Sequence, residues 1–258
     1  MLKRPIDLRF PPIAEAVFDR VNLRLHSDDV FFQGNHEHYL SVGASALNAI
    51  HAAIQLAGND GAEKILDFGC GAGRVTRWLR AAFPEAETSV TDLRESDLEF
   101  CAENFQATTW PSSTDIDALQ APDRYDLIWA GSVLTHLSAE KSLSLLDKLI
   151  GWTRQGGLVI VSLHGRAVTD IRRRNAWDYL HDSGWKTIEN EYKRLGYGYA
   201  DYENQAGYGI SLVSLDWIAK QIMGMSNVRL VLLSERTWDN HHDVLALQRV
   251  PDDNHVAT

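Results

Sequence analysis

Residues 65–74 read Ile65-Leu66-Asp67-Phe68-Gly69-Cys70-Gly71-Ala72-Gly73-Arg74. The apolar run Lys64 to Phe68 predicts a buried strand that feeds directly into glycines. The next residues, Gly73 to Phe83, carry helical spacing and stop at Pro84. Glycines at such a strand-to-helix turn let the backbone approach a ligand closely and adopt unusual dihedrals. The helix behind them offers free N–H groups and a partial positive charge.

Two ligand classes use a turn of this kind. A dinucleotide site needs Gly-x-Gly-x-x-Gly, with the third glycine for close helix–strand packing. Arg74 stands at that third place. The glycines here are instead spaced two apart, at 69, 71 and 73, behind Asp67. An acid in that position is a poor neighbour for a pyrophosphate and a good one for an ammonium group. About twenty residues on, Asp92 closes the second expected strand (Glu87 to Thr91), where a carboxylate can take two ribose hydroxyls. Its alternative role is an ordinary helix N-cap.

Outward from this turn, strands and helices alternate. A helix is expected at Glu95 to Asn104, a third strand at Gln106 to Trp110 and a fourth at Tyr125 to Ala130. Ser138 to Thr153 reads as a helix, Gly156-Gly157 as a turn and Leu158 to Leu163 as a fifth strand. Such alternation implies a parallel sheet with helices on both faces. Val228 to Leu233 and Val244 to Gln248 are strand-like, and the link between them, Ser234 to Asp243, has no room for a crossover helix. They predict a hairpin, so the last strand runs antiparallel. A helix at Ser214 to Met223 precedes it, with Ser214 as N-cap.

The two remaining segments are less regular. Residues 1–60 form an N-terminal extension in which Pro11-Pro12 breaks any early helix and Leu40 to Leu56 reads as a helix. Residues 61–258 form the main domain. Within it lies a long segment, about residues 165–215, rich in Tyr, Trp, Arg, Asp and Gly; length and position suggest a substrate-side lid or binding element.

The sequence from Lys64 to Val250 resembles class I S-adenosylmethionine-dependent methyltransferases. The motifs that carry this are ILDFGCGAGRVTRWL, the acid in SVTDL, YDLIWAGSVLTHL and RQGGLVIVSLHG. Within that class the chain is similar to bacterial stand-alone methyltransferases associated with surface polysaccharide or glycoconjugate synthesis, on Pro11-Pro12, VLTHL, SLHG, YGISLVSLDWI and HHDVLAL. The resemblance implies an α/β, Rossmann-like, seven-stranded sheet with the last strand inserted antiparallel beside the fifth. It implies S-adenosyl-L-methionine as cofactor. Asp67, Gly69, Gly71 and Gly73 would then contact its methionine part, with Phe68 and Arg74 alongside. Asp92 would take the ribose, Leu93 the adenine face, and the loop Ser112 to Asp115 the adenine edge, with Asp115 as the acid there. Ala130, Gly131 and Ser132 would lie under the sulfonium, and Asp126 is structural.

Methyl transfer from a sulfonium is largely a matter of positioning. A hydroxyl acceptor also needs a general base near neutral pKa, for which histidine is suited. Ligands bind at the carboxyl ends of parallel strands. That rule selects His136 after the fourth strand, His164 at the end of the fifth, and His241 and His242 at the start of the antiparallel last strand. His164 and the His241-His242-Asp243 cluster should be neighbours across nearly eighty positions. A metal site from His164, His241 or His242 and Asp243 is conceivable, but no tight ligand spacing announces one and none is expected. Tyr192, Tyr197, Tyr199, Tyr202 and Tyr208 suit a sugar ring or a methylated cation, though packing is the commoner role of such residues.

Composition bounds the rest. Apolar residues make up 45% and charged residues 23%, ordinary for a globular chain. The net charge of −10 disfavours a nucleic-acid backbone as partner, and no Asn/Asp-Pro-Pro-Tyr/Phe motif follows the fourth strand. The basic run Arg172-Arg173-Arg174 reads as a solvated helix face. Cys70 and Cys101 are too few for a disulfide framework and read as reduced thiols. With no targeting segment and no run of bilayer-spanning length, a soluble cytoplasmic chain is expected, which could pair as a homodimer. The expected activity is methyl transfer to a hydroxyl of a sugar or glycan. Transfer to O or N of another small metabolite is the first alternative. A nicotinamide oxidoreductase and a non-catalytic binding module follow.

Overall fold

The computed structural model describes residues 10–174 and 180–251. The N-terminal segment holds α1 (Pro12–Val17) and α2 (His36–Ala57). Then come β1 (Lys64–Phe68), α3 (Thr76–Ala82), β2 (Glu87–Asp92), α4 (Glu95–Phe105), β3 (Thr108–Pro111), β4 (Tyr125–Ala130), α5 (Ala139–Trp152) and β5 (Thr153–His164). They are followed by α6 (Arg166–Arg173), α7 (Asp182–Leu195), β6 (Tyr197–Tyr202), β7 (Gln205–Val213), α8 (Leu215–Met223), β8 (Val228–Trp238) and β9 (His242–Arg249).

Seven strands form one sheet in the order β3-β2-β1-β4-β5-β9-β8. β1 to β5 pair in parallel, and β9 lies antiparallel between β5 and β8. This is the α/β architecture expected from the alternation of strand and helix. Side chains on successive strand residues point to opposite faces, and the core divides accordingly. Leu66, Phe68, Ile128, Val159, Val161, Leu245 and Leu247 pack with α5 and α8. Ile65, Leu127, Trp129, Leu158, Ile160, Val244 and Ala246 pack with α2 and α3. Each buried Val, Leu, Ile or Phe among them contributes roughly 1.5–3 kcal/mol by leaving water.

Several boundaries differ from the sequence reading, each for an identifiable reason. Pro11-Pro12 does not break a helix: α1 begins at Pro12, because proline is compatible with the first helical position. Gly156-Gly157 does not separate helix from strand. β5 starts at Thr153, and the register shift between Tyr125 and Leu127 absorbs the glycines as a bulge. α3 starts at Thr76, later than Gly73, because the glycine turn uses the residues before it. α2 starts four residues before Leu40, capped by the Asn35 side chain on the His38 N–H. At 22 residues and mean hydropathy 1.3 it reaches the length and apolarity of a bilayer span. Its apolar face (Val42, Ala46, Ile50, Ile54) is instead buried against the sheet.

The segment between β5 and α8 is mostly regular. α6 and α7 precede a two-stranded antiparallel sheet, β6 with β7, which stands apart from the main sheet. Val168, Trp185, Ile188, Ile210 and Leu212 give it a small core of its own. Arg172 pairs with Asp182 and Arg173 with Asp170, so two arginines of the basic run meet acids of their own segment.

Candidate active site

The site begins at the turn after β1. Gly69, Gly71 and Gly73 all have positive φ (+75°, +51° and +77°), a region that costs other residues steric strain. Gly73 is also sterically required: a Cβ there would stand 2.3 Å from the Phe105 ring and 3.2 Å from Cys101 Sγ. The backbone N–H groups of Gly69 and Cys70 donate to the Thr91 carbonyl, at 2.8 and 3.2 Å. Turn and β2 end are thereby tied together, which brings Asp92 to the glycines.

Asp92 is more than a cap. Its Oδ2 accepts from the Gly71 N–H at 2.8 Å, and its Oδ1 accepts from the N–H groups of Leu93 (2.7 Å) and Arg94 (3.2 Å). Leu93, beside it, is exposed. The Ser112 N–H donates to the Asp92 carbonyl at 2.9 Å, which places the 112–115 loop next to Asp92. Asp115 itself is exposed and uses Oδ1 to accept from the Asp117 N–H.

Asp67 points to the α3 side of the sheet and is buried at 2% exposure. Its Oδ2 accepts from the Thr76 hydroxyl at 2.6 Å. Burial raises its pKa to about 7, although the Thr76 bond opposes the shift. A buried acid of this kind fits a cationic ligand group, which would restore its charge. Phe68 turns its ring into the core against Trp110 and Trp152, so its share in the turn is backbone. Asp126 is structural: it accepts from the Glu63 and Lys64 N–H groups and pairs with Arg154 at the other end of β4.

Sequence reasoning missed how the N-terminal extension enters this site. Arg77 donates to the Asn22 and Arg24 carbonyls, both at 2.9 Å, anchoring that strand of chain to α3. Asp29 then accepts from the Phe31 N–H and the Tyr39 hydroxyl. These contacts hold Phe31 against Gly71, where an added Cβ would stand 3.3 Å from the ring. The Arg74 guanidinium lies 4.6 Å over the same ring. No local motif in residues 20–31 signals this.

At the end of β4, Ala130 is fully buried, and Gly131 leaves no room for a side chain because Trp129 would lie 2.6 Å from its Cβ. Ser132 takes a positive φ of 59°, and its N–H donates to the Ser162 hydroxyl at 2.7 Å. The turn that follows (Leu134–His136) presents His136. Its Nδ1–H donates to the Gly209 carbonyl at 2.9 Å. A carbonyl only accepts, so this bond leaves Nε2 unprotonated on the Ser132 side, 3.5 Å from the hydroxyl. Tyr202 and Tyr208 from β6 and β7 flank the ring, Tyr208 stacked at 5.0 Å. Burial lowers the His136 pKa.

The topology brings the other three histidines together as expected. The β5–β9 register sets His164 opposite His242, and His241 adjoins them from the turn. Ring centroids of His164 and His242 are 4.8 Å apart, and those of His136 and His164 are 6.4 Å apart. Burial pushes the pKa values of His164 and His242 well down. Asp243 faces the opposite side of β9, where its Oδ1 accepts from the Arg236 N–H.

The comparisons with known proteins bear on the same residues. Residues 66–159 match the family model described as "Methyltransferase domain". The chain is 27% identical over 155 residues to a malonyl-[acyl-carrier protein] O-methyltransferase of Halalkalibacterium halodurans, covering 51% of this chain and 56% of that protein. A second enzyme of the same name, from Anoxybacillus flavithermus, is 29% identical over 40% of this chain and 39% of its own. The chain thus spans about half or less of these relatives. Among solved structures, Streptomyces venezuelae DesVI superposes with a TM-score of 0.57 at 14% identity, over 88% of this chain and 99% of that one. The N-methyltransferase NodS of Bradyrhizobium japonicum, in complex with S-adenosyl-l-homocysteine, gives 0.50 at 14% identity, over 93% and 98%. The fold is that of solved S-adenosylmethionine-dependent methyltransferases.

Proposed function

We propose that the chain catalyses S-adenosylmethionine-dependent methyl transfer to a hydroxyl of a sugar- or glycan-type acceptor, with His136 as general base. The observation that carries this reading is the fixed tautomer of His136. A backbone carbonyl holds Nδ1–H, the Tyr202 hydroxyl lies 3.1 Å from the same nitrogen, and the unprotonated Nε2 faces Ser132 at the end of β4 while Tyr208 stacks on the ring. When bound, the cofactor supplies an electrophilic methyl group on sulfonium. Asp67 and the glycine turn would hold its amino-acid end, Asp92 its ribose, and Gly131 and Ser132 the region of the sulfonium. Tyr202 and Tyr208 supply aromatic faces of the kind sugar rings stack on. Nε2 would take the proton of the acceptor hydroxyl, whose oxygen receives the methyl group as it leaves the sulfonium sulfur.

The relatives act, by name, on the malonyl group of an acyl carrier protein. A carboxylate acceptor is already deprotonated and needs no base, so a carefully placed neutral imidazole favours a hydroxyl. The test is turnover of a panel of nucleotide sugars, oligosaccharides and malonyl thioesters by wild type and His136→Ala. A loss of kcat of about 10²-fold or more on a hydroxyl acceptor, with S-adenosylhomocysteine affinity within threefold, supports the reading. Turnover of malonyl thioesters alone, undiminished in His136→Ala, contradicts it.

A further inference from the structure

We propose that His164, His241 and His242 form a binding site for one divalent transition-metal ion of the zinc, cobalt or nickel class. One ring nitrogen from each of the three lies within 4.8 Å of the others. Their ring centroids are 4.2 Å (His241–His242), 4.8 Å (His164–His242) and 6.1 Å (His164–His241) apart. Side chains alternate along β5 and β9, so His164 and His242 fall on the face that carries Ile160, Val244 and Ala246. Trp238 closes that face, its ring 4.5 Å from His242.

The chemistry of the donors selects the ion. Three imidazoles without a thiolate suit zinc, nickel, copper or iron, whereas calcium and magnesium want oxygen ligands. Three protein ligands with a fourth position left over is the arrangement of catalytic rather than structural zinc. A tetrahedral ion with bonds of about 2.05 Å sets its ligand nitrogens about 3.3 Å apart, so small side-chain rotations bring the set to bonding distance.

Two features beyond proximity point to a ligand. His242 is 5% exposed, and its buried Nδ1 has no hydrogen-bond partner among the described residues. A polar atom buried in that way costs stability unless something binds it. His241 Nδ1–H donates to the Asp239 carbonyl at 2.6 Å, and the Asp239 carboxylate lies 3.7 Å away. Such outer carbonyl and carboxylate partners fix ring orientation at metal sites. His164 is likewise hydrogen bonded to the Ser211 backbone. Arg74 is the cation that opposes an ion here, and its guanidinium is drawn over the Phe31 ring and lies 5.8 Å from the Trp238 ring.

On the methyl-transfer reading, an ion here would polarise an acceptor oxygen beside His136. That consequence rests on the reading above; the binding does not. The experiment uses the full chain without a histidine tag, stripped with chelator and titrated with Co2+ alone and then Zn2+ alone. The expected result is one equivalent bound, with the visible absorption of low-coordinate Co2+ displaced by Zn2+. His241→Asn and His242→Asn should each weaken binding at least 100-fold. Should His242→Asn fail to fold, His241→Asn decides, with its fold verified by far-UV circular dichroism. Absence of saturable one-equivalent binding to wild type, or unchanged affinity in the folded variants, overturns the proposal. S-adenosylhomocysteine binding is measured in parallel, so that failure of the methyltransferase reading is seen separately.

Discussion

Asp92 Oδ2 accepts the Gly71 N–H at 2.8 Å, so the acid at the end of β2 is bonded to the glycine turn after β1. One carboxylate thus shapes the turn, and on the proposed function it is the group that would take the cofactor ribose. Asp92→Ala should raise the Kd for S-adenosylhomocysteine at least 100-fold. Three N–H groups lose their charged acceptor as well, and hydrogen bonds to charged groups are worth about 1.5–3 kcal/mol each before water replaces them. A thermal melt should therefore show a loss on the order of 2 kcal/mol. Unchanged affinity would remove Asp92 from the ribose site.

Asp67 makes a prediction with a definite sign. Its pKa is raised from 3.8 to about 7 in the folded chain. Between those values the folded state holds the extra proton, so this group's contribution to stability is full below pH 4 and is lost as pH rises through 7. Asp67→Asn should stabilise the ligand-free protein at pH 8, on the order of 2–4 kcal/mol. A cationic ligand group needs the carboxylate form. Wild-type affinity for S-adenosylhomocysteine should therefore weaken about tenfold per pH unit below 7, and the Asn variant should lose that dependence along with affinity. Calorimetry across pH 5.5–8.5, set beside melts, checks both signs.

On the proposed mechanism, His136 sets the pH dependence of turnover. Burial lowers its pKa below the ordinary 6.5, so it is neutral at pH 7 and competent as a base. The acid limb of kcat should fall below pH 6.5, and it should disappear in His136→Gln together with most of the rate. A limb above pH 7 would assign the base elsewhere.

Gly73→Ala combines two penalties. The residue sits at φ +77°, and the added Cβ would be 2.3 Å from the Phe105 ring. Strain of about 1–2 kcal/mol and overpacking of about 1–3 kcal/mol should lower the melting temperature by roughly 5–15 °C at about 2–4 °C per kcal/mol. Substitution of Gly34, also at positive φ but with open space around it, should cost only the strain.

Phe31 tests the role of the N-terminal extension. Its ring lies against Gly71 and under Arg74, yet is nearly half exposed. Phe31→Ala should change the melting temperature little and weaken S-adenosylhomocysteine binding about tenfold, mostly through faster release. Equal affinity would mean that this segment covers the turn without serving the ligand.

The glycine turn and Asp92 beside it were legible because strand, turn and acid lie within thirty residues, and local backbone chemistry dictates them. The alternation of β1 to β5 and the short Ser234–Asp243 link were enough to give the sheet and its antiparallel end. The family resemblance put that last strand beside the fifth, and so predicted His164 beside His242, a contact set by the β5–β9 register. What stayed hidden depends on contacts between distant segments. Arg77 bonded to Asn22 and Arg24 could not be read from either stretch alone, nor could Gly209 as the partner of His136. Residues 165–215 read as irregular because their aromatic residues mask periodicity; α7 and the β6–β7 pair emerge once Trp185 and Ile188 find Ile210 and Leu212. The Pro11-Pro12 error came from treating proline as a breaker where it opens α1.

The central claim is the cofactor, and calorimetric titration of the purified chain with S-adenosylhomocysteine, and separately with NADH, tests it most directly. The account predicts saturable one-to-one binding of S-adenosylhomocysteine in the micromolar range and none of NADH. Binding of NADH alone, or of neither, would contradict it.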